Sequence, residues 1–342
     1  MIVKKMPILQ GFPAFDTVKN LSKTTVGSEV FRPVFYEIET SGLSRYSTFL
    51  YLIGAVTYEN SQWYLQQWMA EDSKEEALIL CEFCDYLKDK TCTIQYNGNR
   101  FDQPYLEERY RSWGYASPFQ GLSSLDLYQE LKPCKNLLKL SRMKQPDLEA
   151  FLGMESRNFC DGGMCVRLYR KYIKSKDPKP AEIMLGHNRE DLLGLGAVFS
   201  MLGYKSLLEG NYEPSEASVQ DGQLLLTLSL PFLLPAAVSV GNKEFYLTAS
   251  GNTAKFLTGL KNGKLRQYYK NFKDYDYLPG EDTAVPKVLS QYMDKSLRVP
   301  ATASTSYTWF PCSKEFLDNK DKQLQYLRHS LPCLLAQLET KK

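Results

Sequence analysis

The chain has 342 residues, 43% of them apolar, and its 42 basic against 39 acidic side chains leave a net charge of only +3. So small a charge excludes the overall basic field of a strong nonspecific nucleic-acid binder, and any polyanion site has to be local. The length and apolar content provide for a sizeable core and favour two domains over one.

Residues 1–30 read as an N-terminal lead segment, in which Lys4 and Lys5 are followed by no apolar run of signal-peptide length before Gln10 and Gly11. No stretch reaches the roughly 20 apolar residues that cross a bilayer, so no membrane partner is expected. The 8 Cys form no repeated pair framework. Cys81 and Cys84 make a Cys-x-x-Cys, but no second pair or nearby His completes a zinc set, and reduced thiols in a cytoplasmic protein are the reading adopted.

Short β-branched and aromatic runs at residues 34–38, 50–58 and 63–69 predict three strands of an antiparallel meander, separated by Ser41-Gly42 and Glu59-Asn60-Ser61. Ser73, with Glu76 three residues on, reads as a capping box that opens a helix running to about Lys88. A strand at 92–96 ends at Asn97-Gly98-Asn99, helical spacing covers 101–113, and 122–131 reads as a short strand leading into a helical turn. Pro146 is expected to break residues 135–153 into short helices. After a turn at Asp161-Gly162-Gly163, residues 164–174 and 180–204 are helical in pattern. Strands first and helices after, with one strand-helix-strand crossover, predict an α/β fold built on a mixed sheet flanked by helices.

The polar residues 209–222 read as a linker. Beyond it Leu224, Leu226, Leu228 and Leu230 alternate with other side chains, and Gly241-Asn242, Gly251-Asn252 and Asn262-Gly263 mark closely spaced turns. Residues 223–342 are therefore expected to form a smaller β-rich C-terminal domain of unknown role, with one helix near 285–294. Within it Lys261, Lys264, Arg266, Lys270 and Lys273 interleave with Tyr268, Tyr269, Phe272 and Tyr275. That mixture either holds a single strand by charge and stacking, or is a strand with one solvated and one packed face.

The chemistry concentrates in the first domain. Glu37 and Glu39 lie two apart on the first predicted strand and share a face. Two like charges aimed at one point need something positive between them, and a hard divalent cation is the usual answer. Asp102 follows Asn97-Gly-Asn-Arg-Phe at the start of a helix, where an Asp reads equally well as a cap. Asp126 reads as a cap more readily than as a further site acid. His187 and Asp191, four apart, share one helical face; such pairs are common on exposed helices, although the chain has only 2 His. Gly186, Gly194 and Gly196 are unusual inside a helix and point to close packing or to a break before His187.

Glu37-Ile-Glu39-Thr-Ser-Gly-Leu43, then Asn97-x-x-x-Phe101-Asp102, then His187-x-x-x-Asp191 form an ordered set. In this order they resemble the ribonuclease-H-like 3′→5′ exonucleases of the DnaQ type, the DEDDh group of four acids and one His, and within it the YprB-like bacterial proteins. The resemblance covers roughly residues 31–204 and implies a ribonuclease-H-like domain, bounded here at 31–208, with a mixed five-stranded sheet. It implies a phosphodiester hydrolase that uses two Mg²⁺ or Mn²⁺ ions on the 3′ end of single-stranded DNA or RNA. Glu37, Glu39 and Asp191 would be direct metal ligands, Asp102 a ligand of the second ion directly or through water, and His187 the general base, a task for which the ordinary imidazole pKa of about 6.5 suits it. Thr40, Gly42, Leu43, Asn97 and Phe101 would meet the substrate, although Leu43 reads equally as a core residue.

One position departs from the pattern. The family has Asp-x-Glu where this chain has Glu37-Ile-Glu39, which keeps the charge and lengthens the arm by one methylene. The alternative expectation is therefore a catalytically weak or inactive ribonuclease-H-like module that binds nucleic acid or protein.

Overall fold

The computed structural model describes residues 1–26, 30–155 and 162–338. The chain divides into two compact units, Met1–Lys132 with Met143–Leu202, and Pro133–Arg142 with Gly203–Lys342.

The first unit is built on a six-stranded mixed sheet. Its strands are β1 (Ile2–Pro7), β2 (Pro33–Thr40), β3 (Leu50–Glu59), β4 (Gln62–Met69), β5 (Cys92–Gln95) and β6 (Ser123–Asp126), in the order β1-β4-β3-β2-β5-β6. The expected meander is present, with β2, β3 and β4 antiparallel, while β5 and β6 run parallel to β2. A sixth strand replaces the expected five because β1 pairs along β4 from Ile2 opposite Met69 to Pro7 opposite Tyr64. The stretch read as a lead segment thus supplies an edge strand; its two lysines sit on that edge, a position where charge is favoured and hides the strand signal.

The helices of this unit are α1 (Phe15–Val26), α2 (Glu76–Leu87), α3 (Asp102–Ser112), α4 (Leu127–Leu131), α5 (Gln145–Phe151), α6 (Gly162–Ser175) and α7 (Pro178–Phe199). Asp161, the first residue of the expected turn, lies outside the described residues. The start of α2 differs from expectation: residues 73–75 form a 3₁₀ turn capped by Asp72, whose carboxylate accepts from Lys74 N at 2.8 Å. Glu76 is not a capping-box acid; it is buried and takes Arg109 through Nη2 at 2.7 Å and Leu50 N at 2.7 Å. Pro146 sits in the first turn of α5, where a missing amide costs nothing, so it starts the helix instead of breaking one.

Both faces of β2 are covered, which explains its nearly continuous burial. Tyr36 packs on Phe83 of α2, and Phe35 packs on Phe199 of α7. The run from Pro178 to Leu208 is apolar enough by composition to pass as a membrane span, yet 72% of its most apolar window is buried inside the protein. It is a core helix of the kind that passes the same test.

In the second unit β7 (Glu213–Gln220), β8 (Gln223–Gly241) and β9 (Phe245–Gly259) form one antiparallel sheet after α8 (Leu202–Leu208). Leu224, Leu226, Leu228 and Leu230 are all buried, as their alternation requires. The residues read as a linker hold β7, from Glu213 opposite Ser229 to Gln220 opposite Gln223; its polar side chains belong to a strand with a largely exposed face. β10 (Lys264–Tyr268) pairs with β14 (Tyr307–Pro311), and β11 (Tyr275–Leu278) lies between β12 (Thr283–Pro286) and β13 (Val299–Pro300). The helix expected near 285–294 shrinks to α9 (Lys287–Ser290). The larger helix there is α11 (Lys320–Ala336), preceded by α10 (Lys314–Leu317) and capped by Asn319, whose side chain accepts from Lys322 N. Its buried Leu327, Leu331, Leu334 and Leu335 carry a helical spacing that Pro332 obscures.

Two cations of the cation-aromatic mixture, Lys261 and Arg266, are partnered within this unit, while Lys264, Lys270 and Lys273 are exposed. Arg266 lies over the rings of Tyr307 at 4.7 Å and Trp309 at 4.8 Å, and Lys261 bonds Asp282 at 2.8 Å. Asp282 also accepts from the hydroxyls of Tyr277 and Tyr307. Buried Asp276 accepts from Ser290 Oγ at 2.6 Å and from Arg298.

Candidate active site

The site forms where α7 crosses β2 and β3. Alternation puts Phe35, Glu37 and Glu39 on the α7 face of β2, and Gly54 lies directly opposite Glu37 on β3. A Cβ at Gly54 would come within 2.0 Å of Asn188 Oδ1 and 2.6 Å of Leu192 Cδ1, so this glycine is what lets the helix settle onto the sheet. Gly194 serves α7 in the same way: a Cβ there would meet Glu149 of α5 at 1.9 Å. The helix runs through Gly186 and His187 without a break, and close packing accounts for Gly194 and for Gly196, where a Cβ would meet Phe12 at 2.3 Å.

This packing brings Glu37, Glu39 and Asp191 together, with one carboxylate oxygen of each within 4.8 Å of the others. His187 Nε2 lies 3.1 Å from Asp191 Oδ2 and 3.4 Å from Glu39 Oε1. His187 is therefore no surface histidine; it is 6% exposed and faces the acids. Immediately after Glu39 the β2–β3 register shifts, from Glu39 opposite Leu52 to Thr40 opposite Leu50, which leaves Tyr51 as the extra residue on β3 beside the carboxylates. Gln145 Nε2 donates to Asp191 O at 2.8 Å and ties α5 to this part of α7.

Asp102 lies against the β5-side edge of β2. The β2–β5 pairing stops at Phe35, and Ile38 N beyond it donates to Asp102 Oδ1 at 3.3 Å. Burial pushes the Asp102 carboxyl up to about 7; the Ile38 and Asp102 amides pull the other way, and Asp126 adds to the rise. Asp102 lies outside the close trio of Glu37, Glu39 and Asp191. Asp126 has the structural role expected of it, accepting from Asn97 N at 2.8 Å, Asn99 N at 3.2 Å and Tyr128 N at 3.0 Å.

The trio suits a hard divalent cation: its ligand atoms are all carboxylate oxygens, the donors Mg²⁺ and Mn²⁺ prefer, and three like charges held this close are stabilised by a positive ion between them.

Residues 34–202, the segment that carries all of these groups, match the family model of the RNase_H superfamily. This segment belongs to the RNase H superfamily. The chain is also 26% identical over 189 residues to the uncharacterized protein YprB of Bacillus subtilis strain 168; the match covers 54% of this chain and 45% of that protein, so the chain spans less than half of its relative's length. Among solved structures it is similar to the family B DNA polymerase of the archaeon Pyrobaculum calidifontis, at 17% identity and a TM-score of 0.39, over 53% of this chain and 25% of the polymerase. It is similar as well to E. coli Exonuclease I in complex with a dA16 oligonucleotide, at 13% identity and a TM-score of 0.32, over 92% of this chain and 76% of the other.

In the RNase H-like segment, the loop after β2 is pinned from several sides. Thr40 Oγ1 and Thr48 Oγ1 both donate to Gly42 O at 2.9 Å, and Thr48 Oγ1 lies 2.7 Å from the Tyr105 hydroxyl. Leu43 at its tip is 86% exposed, which rules out a core role. Leu43 and Phe101 line one open cavity of about 370 Å³ together with Ser44, Arg45, Tyr46, Arg100 and Tyr105. Thr40 and Gly42 shape the loop behind that cavity, while Asn97 lies in the turn over Asp126 with a left-handed backbone, φ 59°.

Sequence reasoning passed over several residues here. Arg45 and Tyr46 follow Leu43 after Ser44, a basic and aromatic pair beside the first motif, and Arg100 lies inside the Asn97–Asp102 motif. Asn188 sits inside the His187–Asp191 motif; its Oδ1 accepts from Gln67 Nε2 at 2.8 Å while its Nδ2 faces Glu37 Oε2 at 3.4 Å. Cys165 of α6 lies against Glu39 and His187, and no pattern in the sequence distinguishes it from an ordinary core cysteine.

Proposed function

We propose that the RNase H-like segment is a metal-dependent 3′→5′ exonuclease acting on single-stranded nucleic acid. The observation that carries this reading is the convergence of Glu37, Glu39 and Asp191 with His187 Nε2 between two of them. Superfamily membership supports a nuclease, and the coarser statement of a hydrolase follows from it.

Phosphodiester hydrolysis needs an activated water, in-line geometry and relief of charge on the departing oxygen. Glu37, Glu39 and Asp191, with Asp102, would hold two Mg²⁺ or Mn²⁺ ions, and these would supply the acidification of the water and the charge relief. His187 takes the proton of the attacking water, from a ring nitrogen already aimed at the acid cluster. Leu43, Tyr46 and Phe101 offer apolar and aromatic surface for the last bases, and Arg45 and Arg100 offer charge for the phosphates between them.

The test uses 5′-labelled single-stranded DNA and RNA with Mg²⁺ or Mn²⁺. A ladder shortening from the 3′ end supports the proposal; internal cuts point to an endonuclease, and binding without cleavage under either metal overturns it. Glu37→Asp, which restores the shorter arm of the family pattern, is expected to raise the rate in the same assay.

A further inference from the structure

A second, chemically different set of ligand atoms overlaps the carboxylate trio. One ligand atom each from Glu39, Cys165 and His187 lies within 4.8 Å of the others. Cys165 comes from α6, His187 from α7 and Glu39 from β2, so three elements of the fold meet there. The thiol is fully buried and Glu39 and His187 are nearly so, while Glu37 beside them is only half-buried and forms the open side of the site.

Ligand chemistry separates the two sets. Three carboxylates suit Mg²⁺ or Mn²⁺, whereas a thiolate, an imidazole and a carboxylate are the ligands of Zn²⁺. Atoms bound at about 2.0–2.3 Å around one tetrahedral ion lie roughly 3.3–3.8 Å apart, so the Glu39, Cys165 and His187 ligand atoms need to draw together by at most about 1.5 Å. The Cys165 proton leaves to solvent as the thiolate binds, and water completes the fourth position.

We infer that Glu39, Cys165 and His187 form a zinc site that excludes the catalytic ions, because Glu39 belongs to both sets. Zinc held there also occupies the imidazole that serves as base, so micromolar zinc switches the site off. The exclusion rests on the hydrolase reading above; zinc binding itself rests on the geometry alone, and the two fail separately in the following experiment.

The full chain, with Cys81→Ser and Cys84→Ser to remove the other clustered thiols, is titrated with Co²⁺ as a spectroscopic stand-in for zinc. A thiolate-to-cobalt charge-transfer band at one equivalent is expected, bleached by Zn²⁺. Cys165→Ser and Cys165→Ala abolish the band and weaken Zn²⁺ binding on the order of 100-fold or more, with circular dichroism confirming that each variant is folded. In parallel, bound Mn²⁺ followed by electron paramagnetic resonance is released by one equivalent of Zn²⁺ in the parent and retained in Cys165→Ser. A folded parent without the band, or a band that survives both Cys165 substitutions, overturns the site. Equal Mn²⁺ release with and without Cys165 overturns the exclusion. Absence of Mn²⁺ binding alongside an intact cobalt band counts against the hydrolase reading and supports the zinc site.

Discussion

The second unit and the candidate site of the first treat their buried acids in opposite ways. In the second unit, Asp282 is met by Lys261 and the Tyr277 and Tyr307 hydroxyls, and these outweigh its burial to hold the carboxyl below the usual range. Asp276 is lowered likewise, first by Ser290 and then, against its burial, by Arg298. In the first unit, Asp102 is buried beside another acid and pushed up to about 7. Acids in the second unit are solved locally, as cement. Acids of the candidate site are instead concentrated beside one another, with one carboxylate oxygen of each of Glu37, Glu39 and Asp191 within 4.8 Å of the others, an arrangement that suits a hard cation.

The largest expected effect breaks the site half of this contrast. Glu39→Ala lowers hydrolysis of an end-labelled single strand on the order of 1,000-fold, since it deletes a member of the metal-holding trio worth several kcal/mol in the transition state. Next, Asp282→Asn lowers the stability of the second unit by on the order of 1–3 kcal/mol, because three donors lose a charged acceptor, and denaturant unfolding measures it. Asp102→Asn in metal-free protein is expected to have the opposite sign: an amide oxygen still accepts from Ile38 N, a buried charge is gone, and unfolding at pH 8 shows a gain of about 1 kcal/mol. A loss there would show that Asp102 is structural cement too. The smallest effect is in pH. Because the folded carboxyls of Asp276 and Asp282 lie below their unfolded values, their stabilisation is complete above about pH 4 and fades as pH falls through the folded values. Thermal melts of the second unit between pH 5 and pH 2 are expected to fall, less steeply in Asp282→Asn.

Motifs that demand particular residues were legible in the chain: Glu37, Glu39, His187 and Asp191 converge because alternation on a strand and a four-residue step on a helix are strict periods. The meander and the crossover followed from the same periods. Edge strands were not legible: β1 and β7 carry polar faces, so residues 1–30 and 209–222 looked like a lead and a linker. Helix α11 was hidden by Pro332, and the start of α2 by Glu76, which serves Arg109 instead of a cap. Cys165 was illegible for a different reason, since its meaning depends on which residues of other elements stand beside it, and one sequence holds no record of that.

Gly54 carries a last consequence. The spacing between the Glu37–Glu39 strand and the His187–Asp191 helix is set by a missing methyl group opposite Asn188. Any larger side chain there wedges the two walls apart and draws Glu37 and Glu39 away from His187 and Asp191. The dimensions of the candidate site are thus set at a residue that bears no chemistry of its own.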